Sequence, residues 1–259
     1  MREKSVLIQK KKKICTLILN RPKLMNALHV ETVLTLHDAF TRIASDRSTR
    51  VVILEGAGTH FSSGGDLNYF KKVQGTLNWL NFMQCIGRLT RTMRELPQLI
   101  VCKVRGVAIG GGANLALAGD FVLAAHDARF CQVFANIGLV LDSGGTFFLP
   151  RLIGMVKARE LAYMGETIDG KTARRIGLIY KSVPDEDLDR ETEQLAGILL
   201  KKFTPAHALI KQGLEKSFNM SLSDVLEWES AHQAVLAQTP DHKKALAKFL
   251  DPKTKGKNR

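Results

Sequence analysis

The chain has 259 residues, 24% of them charged and 45% apolar, an ordinary globular balance that suits one large α/β domain or a domain with a helical appendage. Its net charge of +13 is concentrated at the ends, where residues 1–13 carry six basic side chains against one acid and residues 243–259 seven against one. With a near-neutral body, the lysine-rich ends read as solvated ends that attract polyanionic ligands, a nonspecific nucleic acid being the alternative partner.

No apolar run approaches the roughly 18 residues of a membrane span. The first thirteen residues lack the apolar core of a secretory signal, so a cytoplasmic location is expected by default. Cys15, Cys85, Cys102 and Cys131 form no CxxC pair, and their apolar settings suit buried free thiols rather than zinc ligands or disulfides.

In chain order, residues 5–9 and 13–19 read as a hairpin turned by the lysine run. Asn26 is placed to cap a helix reaching Ser45, with Val30, Val33, Leu34, His37, Phe40 and Ala44 on one face. Arg50–Glu55 reads as a buried strand, followed by a glycine-rich loop from Gly56 to Gly65. A helix over Leu77–Leu96 ends before Pro97. Leu99–Ile109 reads as a second buried strand, running into Gly110, Gly111, Gly112 and a short apolar helix. Phe121–Ala125 and Ala128–Val133 are further strands. Residues 185–202, 205–217, 222–237 and 241–250 read as helices. Alternating strand and helix followed by helix alone predicts an α/β core over 1–200 and a helical C-terminal subdomain with a basic tail over 201–259.

The two glycine loops carry the chemistry. His60–Leu67 and Val107–Leu115 each follow an apolar strand, and glycines there allow backbone to approach a ligand closely. A helix opening at the second loop would aim free N–H groups at an anion or oxyanion. The contiguous glycines are not a dinucleotide GxGxxG, and no Lys-Ser/Thr pair follows to make a Walker loop. On the residues alone, each loop also reads simply as a turn.

Asn20–Leu28, Phe61–Leu67, Gly106–Asp120, Gly138–Thr146 and Ala173–Leu178 together resemble the crotonase, or enoyl-CoA hydratase/isomerase, superfamily, in that family's order and spacing over about residues 5–255. The resemblance implies a spiral of ββα repeats that assembles through its C-terminal helices as a homotrimer or dimer of trimers. It implies an acyl-CoA thioester as substrate, with coenzyme A entering only as part of it and no separate cofactor or metal. The oxyanion hole it implies is made by the backbone N–H groups of Gly65 and Gly111. Coenzyme A would lie along Arg21, Lys23 and Leu24, with Ser63, Asp66 and Leu67 near its adenine end and Lys253 and Lys255 at its phosphates.

The family's hydratases use two glutamates to handle water. The matching positions here, lining the substrate, are Asn114 and Phe134. Neither an amide nor a phenyl ring can serve as a base near neutral pH, so the departure argues against hydration. Asp142 matches a position at which isomerase branches of the family carry a proton-moving aspartate. It reads equally as a turn or N-cap residue before Ser143, Gly144 and Gly145. Its apolar flank would raise its pKa and a following helix N-terminus would lower it. The functional expectation is double-bond isomerisation of an acyl-CoA, with Asp142 as acid/base. The alternative is a degenerate CoA-binding or RNA-binding homologue that has lost catalysis.

Overall fold

The computed structural model describes residues 4–202 and 205–251. The chain divides into two compact units, parting between Lys201 and Lys202. Lys253 and Lys255 lie outside the described residues.

The strands are β1 (Val6–Lys11), β2 (Ile14–Leu19), β3 (Val51–Gly56), β4 (Leu99–Val104), β5 (Val107–Ile109), β6 (Phe121–Ala125), β7 (Arg129–Cys131), β8 (Thr167–Asp169) and β9 (Lys181–Val183). The helices of the first unit are α1 (Val30–Ser45), α2 (Leu67–Phe70), α3 (Thr76–Glu95), α4 (Gly111–Leu117), α5 (Gly145–Met164), α6 (Gly170–Arg175) and all but the last residue of α7 (Leu188–Lys202). The second unit holds α8 (Pro205–Ser217), α9 (Leu222–Ala237) and α10 (Pro240–Leu250).

One sheet runs in the order β1-β2-β3-β4-β6-β9, and a second in the order β5-β7-β8. β1 and β2 are an antiparallel hairpin, with Val6 opposite Leu19 and Lys12 in the left-handed region at φ 57°. From β2 to β9 the first sheet is parallel. Its central strands are covered on both faces, and Val51–Leu54 and Leu99–Cys102 are buried without interruption. This is why they read as unbroken apolar runs rather than as alternation.

Two sequence expectations are corrected. α1 begins at Val30 with His29, not Asn26, as its N-cap; the His29 ring accepts from the Glu31 N–H. Its buried stripe is Thr32, Val33, Leu36, Ala39, Phe40 and Ile43, while Leu34 is exposed. Of the expected face, Val33 and Phe40 lie on this stripe, Val30 and His37 are half-buried at its edge, and Leu34 and Ala44 face solvent. The run Leu99–Ile109 is two strands in different sheets, not one. The chain turns at Arg105–Gly106, with Gly106 at φ 58° and no room for a side chain beside the Thr59 carbonyl. β5 then leaves the first sheet and pairs with the loop that carries the first glycines, through a bridge from Ser62 to Ala108.

In the second unit, α9 is opened by a reciprocal capping box between Ser221 and Asp224. Trp228 stacks on His232 with ring centroids 4.0 Å apart. Leu214, Phe218, Leu222, Val235 and Phe249 of this unit are exposed. Among the described residues no helix is long and apolar enough to cross a membrane.

Candidate active site

Asn26, the misread cap, is a fastening for the first glycine loop. It is buried in a left-handed conformation at φ 54°. Its Nδ2 donates to the carbonyls of Ala57 (2.9 Å) and His60 (2.7 Å), and its Oδ1 accepts from the Arg21 N–H. The Ser62 hydroxyl donates to the Asn26 carbonyl and accepts from the Gly64 N–H at 3.2 Å. Leu28 N–H donates to the Gly64 carbonyl (2.7 Å), and Asp66 N–H donates to the Leu28 carbonyl (3.1 Å). The N–H of Gly65, between those two bonds, finds no acceptor among the described residues. A parallel bridge of this kind turns the intervening N–H away from its partner strand.

Arg21 locks the loop from outside. Its guanidinium bonds the Ala27 carbonyl at 2.7 Å and pairs with the Asp66 carboxylate at 2.8 Å. The other oxygen of Asp66 caps α2 by accepting from the N–H groups of Asn68 and Tyr69. Burial would raise the Asp66 pKa, but the Arg21 guanidinium and the two N–H donors outweigh it and hold the carboxyl below its ordinary value.

The second loop meets the first edge to edge. Gly110 N–H donates to the Cys131 carbonyl at 2.8 Å, and α4 starts at the next residue. The Gly111 N–H is thus the first of a helix, without an intrahelical acceptor. It too has no partner among the described residues. A Cβ on Gly64, which sits at φ 86°, would lie 3.4 Å from the Gly111 nitrogen and would overlap the Ile109 carbonyl. Only glycine at 64 lets the loops approach this closely. The Phe134 ring lies about 3.6 Å from where a Gly110 side chain would begin, so it packs against this backbone. The Phe70 ring covers the Cα of Gly65, within a cluster that includes Tyr69, Trp79 and Phe82.

Asp142 packs against the Gly111 backbone. A Cβ on Gly111 would lie 3.1 Å from Asp142 Oδ1 and 3.6 Å from Oδ2. Of the two local readings of Asp142, turn and N-cap, the structure keeps the turn and corrects the cap: α5 is capped by Gly144, and among the described residues no helix N–H donates to the Asp142 carboxylate. Asp142 instead opens a turn in which Gly145 N–H donates to its carbonyl at 2.8 Å. The central residues of that turn, Ser143 and Gly144, are both left-handed, at φ 51° and 87°. The Ser143 hydroxyl donates to Asp142 Oδ1 at 2.8 Å. Burial pushes the Asp142 carboxyl up, opposed in part by that hydroxyl. Between the two effects foreseen for this residue, desolvation prevails.

Asn114 stands behind Asp142 rather than open to a ligand. It is fully buried, with Nδ2 donating to the Asp142 carbonyl at 3.0 Å and Oδ1 accepting from Gln132 Nε2 at 2.9 Å. Among the remaining expected contacts, Lys23, Leu24 and Leu67 are exposed, and Ser63 N–H donates to the Met25 carbonyl at 2.9 Å. The structure thus brings Gly65, Gly111, Asp142 and Phe134 to one place and puts Arg21 and Asp66 to work on the loop itself. Ser143 and Phe70 are the participants that sequence reasoning missed. The aromatic pair Tyr69 and Phe70, one residue beyond Leu67, is a usable signal for Phe70; nothing local marks Ser143.

Comparison with known proteins covers nearly the whole chain. The profile of the enoyl-CoA hydratase/isomerase family matches residues 9–257. The 1,2-epoxyphenylacetyl-CoA isomerase of Escherichia coli is 34% identical, with 95% of each chain covered. The crotonyl-CoA hydratase of Syntrophomonas wolfei is 31% identical, covering 97% of this chain and 96% of its own. The crystal structure of an enoyl-CoA hydratase from Bacillus anthracis superposes with a TM-score of 0.90 at 29% identity, covering 95% of each chain.

Proposed function

Because the chain belongs to the enoyl-CoA hydratase/isomerase family, we propose that it is an acyl-CoA isomerase in which Asp142 moves the proton and Gly65 and Gly111 hold the thioester oxygen. The observation that carries this is the Asp142 carboxylate lying against the Gly111 backbone, 3.1 Å from where a side chain would start. A thioester carbonyl bonded to the Gly111 N–H would bring its α carbon beside that carboxylate.

Asp142 takes a proton from the α carbon of a 3-enoyl thioester, and the electron pair moves into the conjugated system. The charge reaches the thioester oxygen, where the two N–H groups stabilise it; one such donor is worth roughly 3–4 kcal/mol. The protonated Asp142 then returns the proton two carbons away, at the γ carbon, and a 2-enoyl thioester leaves. No redox group is required, since the thioester is the electron sink. A carboxyl raised by burial is a better matched base than an ordinary aspartate.

The same site is poorly equipped to add water. Asn114 is engaged by Asp142 and Gln132, and Phe134 presents an apolar ring beside Gly110. Relatives carry both names, isomerase and hydratase, so the test is catalytic. A 3-enoyl-CoA incubated with the protein should gain the absorbance of a conjugated 2-enoyl thioester. Crotonyl-CoA in the same buffer should lose its own only slowly. Rapid hydration with no isomerisation would overturn the proposal.

A further inference from the structure

Taking Asp142 as the base, as proposed above, we infer that Asn114 and Gln132 are positioning residues for it, forming an amide bridge that sets where the carboxylate stands. The direction of each bond in the bridge follows from its end. The Asp142 carbonyl can only accept, so Asn114 must turn Nδ2 toward it and leave Oδ1 facing Gln132. Gln132 must then present Nε2, as it does at 2.9 Å. In making that bond it leaves its own buried Oε1 without a partner among the described residues. Buried polar atoms are seldom left so, and the orientation persists because reversing Gln132 would set oxygen against oxygen at Asn114.

The bridge acts on a segment that needs holding. Asp142 is followed by Ser143, a residue with a Cβ in the left-handed region at φ 51°, a conformation that persists only where surroundings impose it. Asn114 is 0% exposed and packs so closely on Gly145 that a side chain at 145 would overlap its amide. It thus touches both ends of the Asp142–Gly145 turn while its own side chain points away from open space. A carboxylate at 114 would offer only acceptors to the Asp142 carbonyl. This arrangement of Asp142 therefore requires a donor at 114, which the amide supplies while still accepting from Gln132.

The test is exchange of the α protons of an acyl-CoA thioester in deuterated water, measured on four variants of the full chain. Asn114→Ala should lower kcat by about 100-fold, the penalty of displacing a reacting group by around 1 Å, with KM within twofold. Gln132→Leu, which leaves Asn114 in place, should lower kcat less and in the same direction. In an Asp142→Asn background, adding Asn114→Ala should cost nothing further, because the group being positioned is gone. An additional loss in that background would mark Asn114 as a packing residue only and overturn the bridge. So would wild-type kcat in both Asn114→Ala and Gln132→Leu, provided Asp142→Asn has itself lost about 100-fold or more. Full exchange by Asp142→Asn would overturn the functional proposal itself, and the bridge with it.

Discussion

The Ser143 hydroxyl donates to Asp142 Oδ1 at 2.8 Å, from a backbone held at φ 51°. The bond favours the ionised carboxylate, whereas burial favours the neutral acid and prevails. A base must be ionised to act, so the rate should fall as pH drops through a carboxyl pKa above the ordinary aspartate value of about 3.9. Ser143→Gly relieves the backbone and removes the hydroxyl. The acid limb of the kcat profile should then move to higher pH, since the interaction stabilising the charged form is gone. A limb that stays in place, or moves down, would detach Ser143 from the carboxylate.

Arg21 and Asp66 join the 20–28 segment to the first glycine loop through a partly buried pair at 2.8 Å. Removing one partner strands the other and, for Asp66, also uncaps α2. Asp66→Ala should cost about 3 kcal/mol of stability, and binding of acyl-CoA should weaken as the Gly65 N–H loses its setting. The folded-state carboxyl lies below its unfolded value. Its stabilising contribution is therefore complete above the unfolded pKa and is lost as pH falls through the folded one. Denaturant titration of wild type and variant at neutral and acid pH checks both: the gap between them should close in acid.

Much of the site is legible in the sequence, and the reasons differ by residue. Gly64 and Gly112 are legible because close approach to the Ile109 and Ser62 carbonyls admits only glycine, which leaves a visible cluster. The parallel strands are legible because burial on both faces writes an unbroken apolar run. Asn26 is misread because a cap and a tertiary fastening use the same amide, and its partners Ala57 and His60 lie 31 and 34 residues away. The break inside Leu99–Ile109 is hidden because both halves are apolar and a single Gly106 makes the turn. Asn114 is recognisable as a departure from a hydratase pattern, but its bond to Asp142 spans 28 positions that only the fold brings together.

Binding of coenzyme A esters should weaken as salt rises. The basic residues of the C-terminal tail, Lys253 and Lys255 among them, are the groups proposed to meet the phosphates, and exposed charge pairs are screened within about 8–10 Å at moderate ionic strength. Calorimetry between low and high salt measures it. An unchanged affinity would remove both lysines from the binding site.

The second unit leaves Leu214, Phe218, Leu222, Val235 and Phe249 exposed, an apolar set that favours self-association. We expect a trimer or a dimer of trimers in solution. Light scattering at micromolar concentration should give three or six times the mass of one chain, and a monomer would contradict that assembly.

The central claim is that Asp142 is the base. Asp142→Asn preserves the shape of the turn and its backbone bonds to Asn114 and Gly145 while removing the group that takes the proton. The decisive measurement is α-proton exchange and double-bond migration of a 3-enoyl-CoA in deuterated water, wild type against Asp142→Asn. The variant should lose about 100-fold to 10,000-fold in rate, the range that a general base supplies, and should bind the ester almost unchanged. Full isomerisation and exchange by Asp142→Asn would place the base elsewhere.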